Sequence, residues 1–579
     1  MLDIEGEVWL GAGNNLLGRL NHETGIIENY MAPSLNFGAV RSLLKYTENE
    51  LLVGTDNGLY LFNRELKTFL RADNPADPRS LSDQTINGMM WDAEGALWIL
   101  TNLGGINYMS KQTKRFDYYS PAYLSGIPGA GEVVGPFCEN KDGNIWIGTQ
   151  SGLYFFNAVT RELSEHPIGG VKGQKYDIRS LMLDGDCLWI GTYAEGIRVL
   201  NLRTGSIKEY THSRGIPNTI CSNDVLCMYK DRKGEIFVGT SWGLCRYNPD
   251  ADNFMTITSI GSMISVGDIY EDMYNNLWIA TTNSGVFSYN TLSGHWKHFQ
   301  HEREDSTTIT SNSVITVFED NKGVMWFGTN GGGLCSFDPK TEAFIEFDSS
   351  LPNKVIYSIE QDQTGDFWIS SNAGIFKINP ISKAHFRQFT INDGLQGNQF
   401  MARSSLRSSE GKLYFGGING FNVFQPERFV DNAYIPPVYV TDIRLSYLND
   451  EQEVKKLLQL GKPVYMADKI TLSYENNSFT IRFVALSYED PARNRYSYIL
   501  KGVDKEWITN SENNSASYTN LPPGEYEFEV RGSNNDHQWN EKTTTLKVVI
   551  TPPWWRSSFA YFIYILLLIC LLYTSDAAD

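Results

Sequence analysis

Apolar and polar positions alternate in short runs along most of this chain. Val225, Cys227 and Tyr229 are apolar at every second position, which predicts a strand half buried in a sheet. Asp231-Arg232-Lys233-Gly234 follows, a hairpin turn in which glycine supplies positive φ. A second strand is predicted over 236–240, a turn at Ser241-Trp242-Gly243, a third strand over 244–247 and a fourth over 254–258.

This unit recurs. Its signature is an acidic residue, a turn with Gly, an apolar residue, Trp, Ile, Gly-Thr and, after a short turn, Gly-Leu. It is clearest from Asp142 to Leu153, and it returns as Leu188-Trp189-Ile190-Gly191-Thr192 and Met325-Trp326-Phe327-Gly328-Thr329. The aromatic slot falls at positions 9, 52, 98, 146, 189, 237, 278, 326, 368 and 414, with Leu at 52, so ten copies follow one another at spacings of 41 to 48 residues. Short strands at that period indicate propeller blades of four strands each. Helical repeats of the same period are excluded, because they need long 3.6-residue stripes that are missing here.

After Phe429 the pattern stops. Pro436-Pro437 mark a boundary, and Phe479, Ile481 and Phe483 alternate as a half-buried strand should. Leu521-Pro522-Pro523-Gly524-Glu525-Tyr526 combines a proline–glycine turn with a tyrosine, like the tyrosine corner of immunoglobulin-like sandwiches. Residues 434–552 are therefore expected to form a small β-sandwich.

Composition narrows the function. Lys and Arg total 49 against 67 Asp and Glu, a net charge of −18, and no basic run interrupts it, so no nucleic acid is expected as partner. The seven cysteines include no CxxC or zinc-finger spacing and read as small core residues, with room for one pair. No basic and apolar leader follows Met1. Near the other end, FAYFIYILLLICLLY spans 559–573, fifteen apolar or aromatic residues against the roughly 20 of a membrane-spanning helix. Trp554-Trp555 precede it as interfacial aromatics do, and only TSDAAD follows, without the cations of a cytoplasmic flank. A helix cut short over 556–573, and a chain that is a fragment, are the expectations.

The repeats resemble the two-component regulator propeller repeat. Tyr496-x-Tyr498-x-Leu500-x-Gly502, Trp507, Tyr518 and Leu521-Pro522-Pro523-Gly524-x-Tyr526 resemble the three-tyrosine domain that follows such repeats, and Thr551-Pro552-Pro553-Trp554-Trp555 leads to a helix as in that family. The resemblance implies the extracytoplasmic sensor region of a Bacteroides-type hybrid two-component histidine kinase, a fragment without the kinase. It also implies seven blades per ring. The expected fold is all-β: the last three blades of a truncated propeller over 1–118, a seven-bladed β-propeller over 119–430, the immunoglobulin-like three-tyrosine sandwich over 434–552, and the truncated transmembrane helix. The expected place is the inner membrane, with this region in the periplasm. The expected ligand is a glycan-derived oligosaccharide or another small molecule. A lone helix is a poor switch, so a homodimer anchored to the membrane through that helix is expected. The alternative is a membrane-anchored glycan-binding or scaffold propeller without a kinase.

Chemistry is sparse. No GxxxxGK[ST] and no kinase box occurs, so no catalysis and no cofactor is expected in this chain. His295, His298 and His301 are spaced by three, which suits neither a strand face nor an i, i+4 zinc pair, so no metal is expected. The turns after each Gly-Thr all lie on one face of a ring. Most are small or polar and offer Asn283, Asn330 and Asn372; two carry aromatics, Tyr193 and Trp242, and Glu195 stands beside the first. Such an aromatic either packs on a neighbouring blade or stacks on a sugar whose hydroxyls Asn and Glu195 bind. These six are the candidate ligand-binding residues.

Overall fold

This computed structural model describes residues 2–4, 7–13, 15–21, 24–31, 36–73, 80–110, 116–121, 133–169, 175–261, 263–347, 351, 353–381, 387–429, 432–445, 462–511, 513–556 and 558–576. By their contacts these fall into two units: 1–87, 101–105 and 112–429 in the first, and 88–100, 106–111 and 430–579 in the second.

The first unit is dominated by seven four-stranded antiparallel sheets. Their innermost strands are Val134–Glu139, Ile178–Asp184, Val225–Lys230, Val266–Glu271, Val314–Glu319, Ser358–Gln361 and Phe400–Arg407. Each neighbours the next, and the seventh neighbours the first, so the sheets form a closed ring. The second strand of each sheet carries the Trp-Ile-Gly-Thr signature. In Ile145–Thr149, Ile236–Thr240 and Met325–Thr329 every residue is buried, because both faces are covered by adjacent sheets. This is why these runs are continuously apolar rather than alternating.

The glycine of the signature sets the distance between sheets. A Cβ at Gly191 would lie 2.7 Å from Val225 Cγ1, and one at Gly239 would lie 2.7 Å from Val266 Cγ1. A Cβ at Gly416 would lie 2.7 Å from the Val134 carbonyl, so the same contact joins the seventh sheet to the first. Closure has a second component. The outer strand of the seventh sheet is Asp117–Tyr119, paired antiparallel with Gly420–Phe424. Tyr119 stacks on Phe421 at 5.3 Å and meets Phe156 of the first sheet at 4.9 Å.

Two further four-stranded sheets precede the ring, with second strands Glu7–Ala12 and Glu50–Thr55. The third copy of the repeat has three described strands, Ile86–Trp91, Leu97–Thr101 and Ile106–Met109.

The second unit holds a sandwich of a three-stranded and a five-stranded sheet. Its core joins Phe479, Ile481 and Phe483 to Phe528, Val530 and Val548. Lys469–Ser473 pairs in parallel with Thr544–Thr551; the other pairings are antiparallel. The hairpin of the third repeat belongs to this unit. Glu94 accepts hydrogen bonds from Ser487 Oγ at 2.6 Å and Tyr488 N at 2.7 Å, and Trp98 meets the Tyr488 ring edge-on at 5.3 Å. Beyond Trp554–Arg556 the helix Ser558–Asp576 runs with exposed Phe559, Leu566 and Leu571. Among the described residues no helix is long and apolar enough to cross a membrane.

Candidate functional site

Two local devices built from the repeat hold the ring's turns. At one end the signature threonine spans the second hairpin: Thr149, Thr192, Thr240, Thr281 and Thr329 donate from Oγ1 to the carbonyl of the following Gly at 2.7–2.9 Å. At the other end an aspartate caps the first hairpin. Asp272 Oδ1 accepts the N–H groups of Tyr274 and Asn276, both at 2.8 Å, and its Oδ2 accepts Trp278 Nε1 at 2.8 Å.

The register fixes what lies at the threonine end. Val225 pairs with Thr240 and Ile178 with Thr192, so the start of each innermost strand and the second hairpins share one face of the ring. There the innermost strands bulge, between Ile178 and Ser180, Val225 and Cys227, and Val266 and Asp268. A bulge re-aims side chains. The seventh strand bulges most, between Phe400 and Ser405, and holds Arg403 at a φ of 55°.

All six candidate residues lie on this face and are exposed. Only some meet charged partners. The Arg179 guanidinium lies 5.4 Å from the Tyr193 ring centroid and donates to Asp177 Oδ2 at 2.7 Å. Trp242 is 65% exposed and follows Ser241, whose N–H donates to the Asp224 carbonyl at 3.1 Å. Glu195 neighbours Tyr193 in the same turn. Asn283 accepts from Ser284 Oγ at 3.4 Å, Asn330 bridges to Val355, and Asn372 Oδ1 is held by Asn353 Nδ2. Tyr193 and Glu195 share a turn of the second sheet, whereas Trp242 and the three asparagines occupy turns of the third to sixth sheets.

Arg403, Asp224 and Asp268 are residues that the repeat signature did not mark. Burial raises the Asp224 carboxyl, against the opposing effects of the Ser241 hydroxyl, Arg179 and Arg403. Burial also raises Asp268, against Arg403 and the N–H groups of Val317 at 2.9 Å and Ile269 at 3.0 Å. Arg403 Nη1, Arg179 Nε and Asp224 Oδ1 are buried without a hydrogen-bond partner among the described residues. One sequence signal pointed to Arg403: eleven positions separate Val225 from Ile236 and Val266 from Leu277, but thirteen separate Phe400 from Leu413.

The histidines do not converge. His298 stacks on Phe287 at 3.9 Å and contacts the Ser284 carbonyl at 2.7 Å, while His301 Nδ1 contacts the Ile309 carbonyl at 2.8 Å. His295 lines a cleft of about 420 Å³ at the aspartate end, with Trp278, Phe299, Phe337 and Lys297. Among the described residues no cluster of metal-ligating side chains occurs.

In the sandwich, Tyr526 donates its hydroxyl to the Pro522 carbonyl at 2.8 Å, the expected tyrosine corner. Tyr518 donates to Asp504 Oδ2 at 2.8 Å, and Tyr496 accepts the Ala485 N–H at 3.2 Å. The family model for the Y_Y_Y domain matches residues 487–551, and that for the two component regulator propeller matches 308–331 and 350–373. The chain carries regulator propeller repeats followed by a Y_Y_Y domain. Histidine kinase P4 of Formosa agariphila is 26% identical over 488 residues, which are 81% of this chain and 34% of that protein. The chain thus spans about a third of the length of this curated relative. Among solved structures, two extracellular domains described as belonging to hybrid two component systems of B. thetaiotaomicron resemble this propeller–Y_Y_Y chain. One covers 95% of this chain and 74% of its own at 22% identity and a TM-score of 0.45. The other covers 96% and 97% at 22% identity and a TM-score of 0.39.

Proposed function

We propose that this chain is the ligand-sensing region of a two-component receptor and that an oligosaccharide binds at the charged mouth of the seven-sheet ring. The observation that carries the reading is that the Arg179 guanidinium lies 5.4 Å from the centroid of the exposed Tyr193 ring, on the ring face that also bears exposed Trp242, and that Arg179 and Arg403 both act on the Asp224 carboxyl. Sugar hydroxyls supply both donors and acceptors to such groups, and sugar faces stack on the rings. The reading includes a histidine kinase beyond this chain, a homodimer, a periplasmic position, membrane attachment through the C-terminal helix, and a truncated propeller ahead of the seven-sheet ring, which takes its outer strand from Asp117–Tyr119. The sensor and kinase parts of this reading are supported by the propeller and Y_Y_Y matches together with the longer Formosa relative.

The test is calorimetric titration of the purified chain against a panel of oligosaccharides. One of them is expected to bind. Arg403→Gln then weakens it by roughly tenfold or more, the loss of one charge-assisted hydrogen bond, and Tyr193→Ala and Trp242→Ala weaken it as well. A saccharide whose affinity ignores all three substitutions, or a panel in which none binds, overturns the site.

A further inference from the structure

The third ring sheet contains a pair of cysteines that no other sheet reproduces among the described residues. Cys245 lies on its third strand, fully buried, opposite Thr256 of the outer strand. Cys221 lies in the segment that leads from the second sheet into the third and is half-buried. The Cys221 N–H points at Cys245 Sγ at 3.1 Å, and Cys221 Sγ reaches Thr256 Oγ1 at 3.7 Å.

The repeat supplies its own comparison. The segment Ile309-Thr310-Ser311-Asn312-Ser313-Val314 enters the fifth sheet as Ile220-Cys221-Ser222-Asn223-Asp224-Val225 enters the third. The two segments are built alike. His212 N donates to Asn223 Oδ1 and His301 N to Asn312 Oδ1, and each histidine Nδ1 contacts the carbonyl of the isoleucine at 2.8 Å. In the fifth sheet Thr310 Oγ1 meets Cys335 Sγ at 3.6 Å, so a hydroxyl and a thiol share the place that two thiols share in the third. The backbone therefore accepts threonine at the position of Cys221, and a second sulfur is what the third sheet adds.

We propose that Cys221 and Cys245 are a modification site at which a disulfide forms by exchange with a small-molecule or protein disulfide. The contact with Cys245 holds the Cys221 thiol below the ordinary thiol range, while the same contact and burial raise Cys245. Cys221 is thus the attacking sulfur. Its thiolate attacks one sulfur of the incoming disulfide RSSR, forming a Cys221–SR mixed disulfide and releasing RS⁻. Cys245, losing its proton to solvent, attacks Cys221 Sγ, forms the Cys221–Cys245 bond and expels the second RS⁻. The two RS⁻ groups take up the two protons, so the protein is oxidised by two electrons and RSSR is reduced to two RSH. The bond ties the connecting segment, which carries Ser222 and Asp224, to the third strand of the sheet.

The test uses the full chain in detergent, equilibrated with oxidised and reduced glutathione at several ratios. As the ratio becomes more oxidising, the intact mass is expected to fall by two hydrogens, and non-reduced peptide mapping to join Cys221 to Cys245. The oxidised protein melts at a higher temperature than the reduced protein. Cys221→Thr, the residue of the fifth sheet, removes both the cross-link and the redox-dependent difference in melting while the chain stays folded. Seven titratable thiols under every ratio, a stable glutathione adduct on Cys221, or a cross-link between other cysteines overturns the proposal.

Discussion

Four indoles donate to an aspartate six residues upstream: Trp98 to Asp92, Trp278 to Asp272, Trp326 to Asp320 and Trp368 to Asp362, at 2.8–3.0 Å. Phe237 and Asn140 each replace one partner of the pair. The Phe237 ring has no N–H, so Asp231 Oδ2 is buried without a partner among the described residues, and burial raises its carboxyl. Asn140 spends its one oxygen on the N–H groups of Asp142 and Asn144, so Trp146 Nε1 is left without an acceptor among the described residues. Trp326→Phe should recreate the first defect and cost about 1–3 kcal/mol, whereas Asn140→Asp should repair the second and add about 1 kcal/mol. Denaturant midpoints read both, and unchanged midpoints would remove the indole bond from the account of why Trp recurs. Glu360 offers a pH test. Burial pushes its carboxyl up to about 7, although Ser405 Oγ donates to it at 2.7 Å and Arg407 opposes the shift. Its folded value lies above the unfolded one, so its contribution is greatest below about 4.3 and is lost as pH rises through 7. The wild-type melting temperature should fall more steeply than that of Glu360→Gln between pH 5 and 8, scans that superimpose being the contrary result.

At the scale of elements, the ring depends on the three-residue strand Asp117–Tyr119. It supplies the outer edge of the seventh sheet, and its tyrosine touches rings of both the seventh and the first sheets. A chain of residues 116–429 should therefore melt cooperatively, and one of 121–429 should melt lower and expose a sheet edge that promotes aggregation. Differential scanning calorimetry with light scattering distinguishes them; equal behaviour would mean that packing of Gly416 against Val134 closes the ring by itself. The second strands bear the same lesson in reverse. Their buried runs suit only a sheet covered on both faces, so each sheet needs its neighbours.

At the scale of the whole molecule, the link from sandwich to helix is short. The strand Thr544–Thr551 ends at Pro552-Pro553, and Arg556 N then donates to the Pro553 carbonyl at 2.8 Å. Trp555 meets the Tyr474 ring of the sandwich at 5.3 Å. Prolines keep such a link extended and stiff. In a complete receptor, replacing Pro552-Pro553 by Gly-Ser should uncouple output from sensing and leave ligand affinity unchanged. A reporter that responds normally in the Gly-Ser receptor would show that stiffness is not what transmits the signal.

The Trp-Ile-Gly-Thr recurrence and the alternation around Phe479–Phe483 were enough to read an all-β chain with ten repeat units and a sandwich, because strand and turn chemistry are local. Tyr526 and its Pro522 partner were legible for the same reason: four residues separate them. The partner of Asp117–Tyr119 was not legible, since no local rule pairs it with a strand some three hundred residues later. The place of the third repeat hairpin beside Ser487 and Tyr488 was hidden likewise. The mouth of the ring divided along the same line. Tyr193 and Trp242 stood out as aromatics in turns that are otherwise small or polar. Arg179, Asp224, Asp268 and Arg403 looked like ordinary strand and loop charges. Only the closed ring brings their separate strands close enough for Arg403 to act on both Asp224 and Asp268 and for Arg179 to act on Asp224.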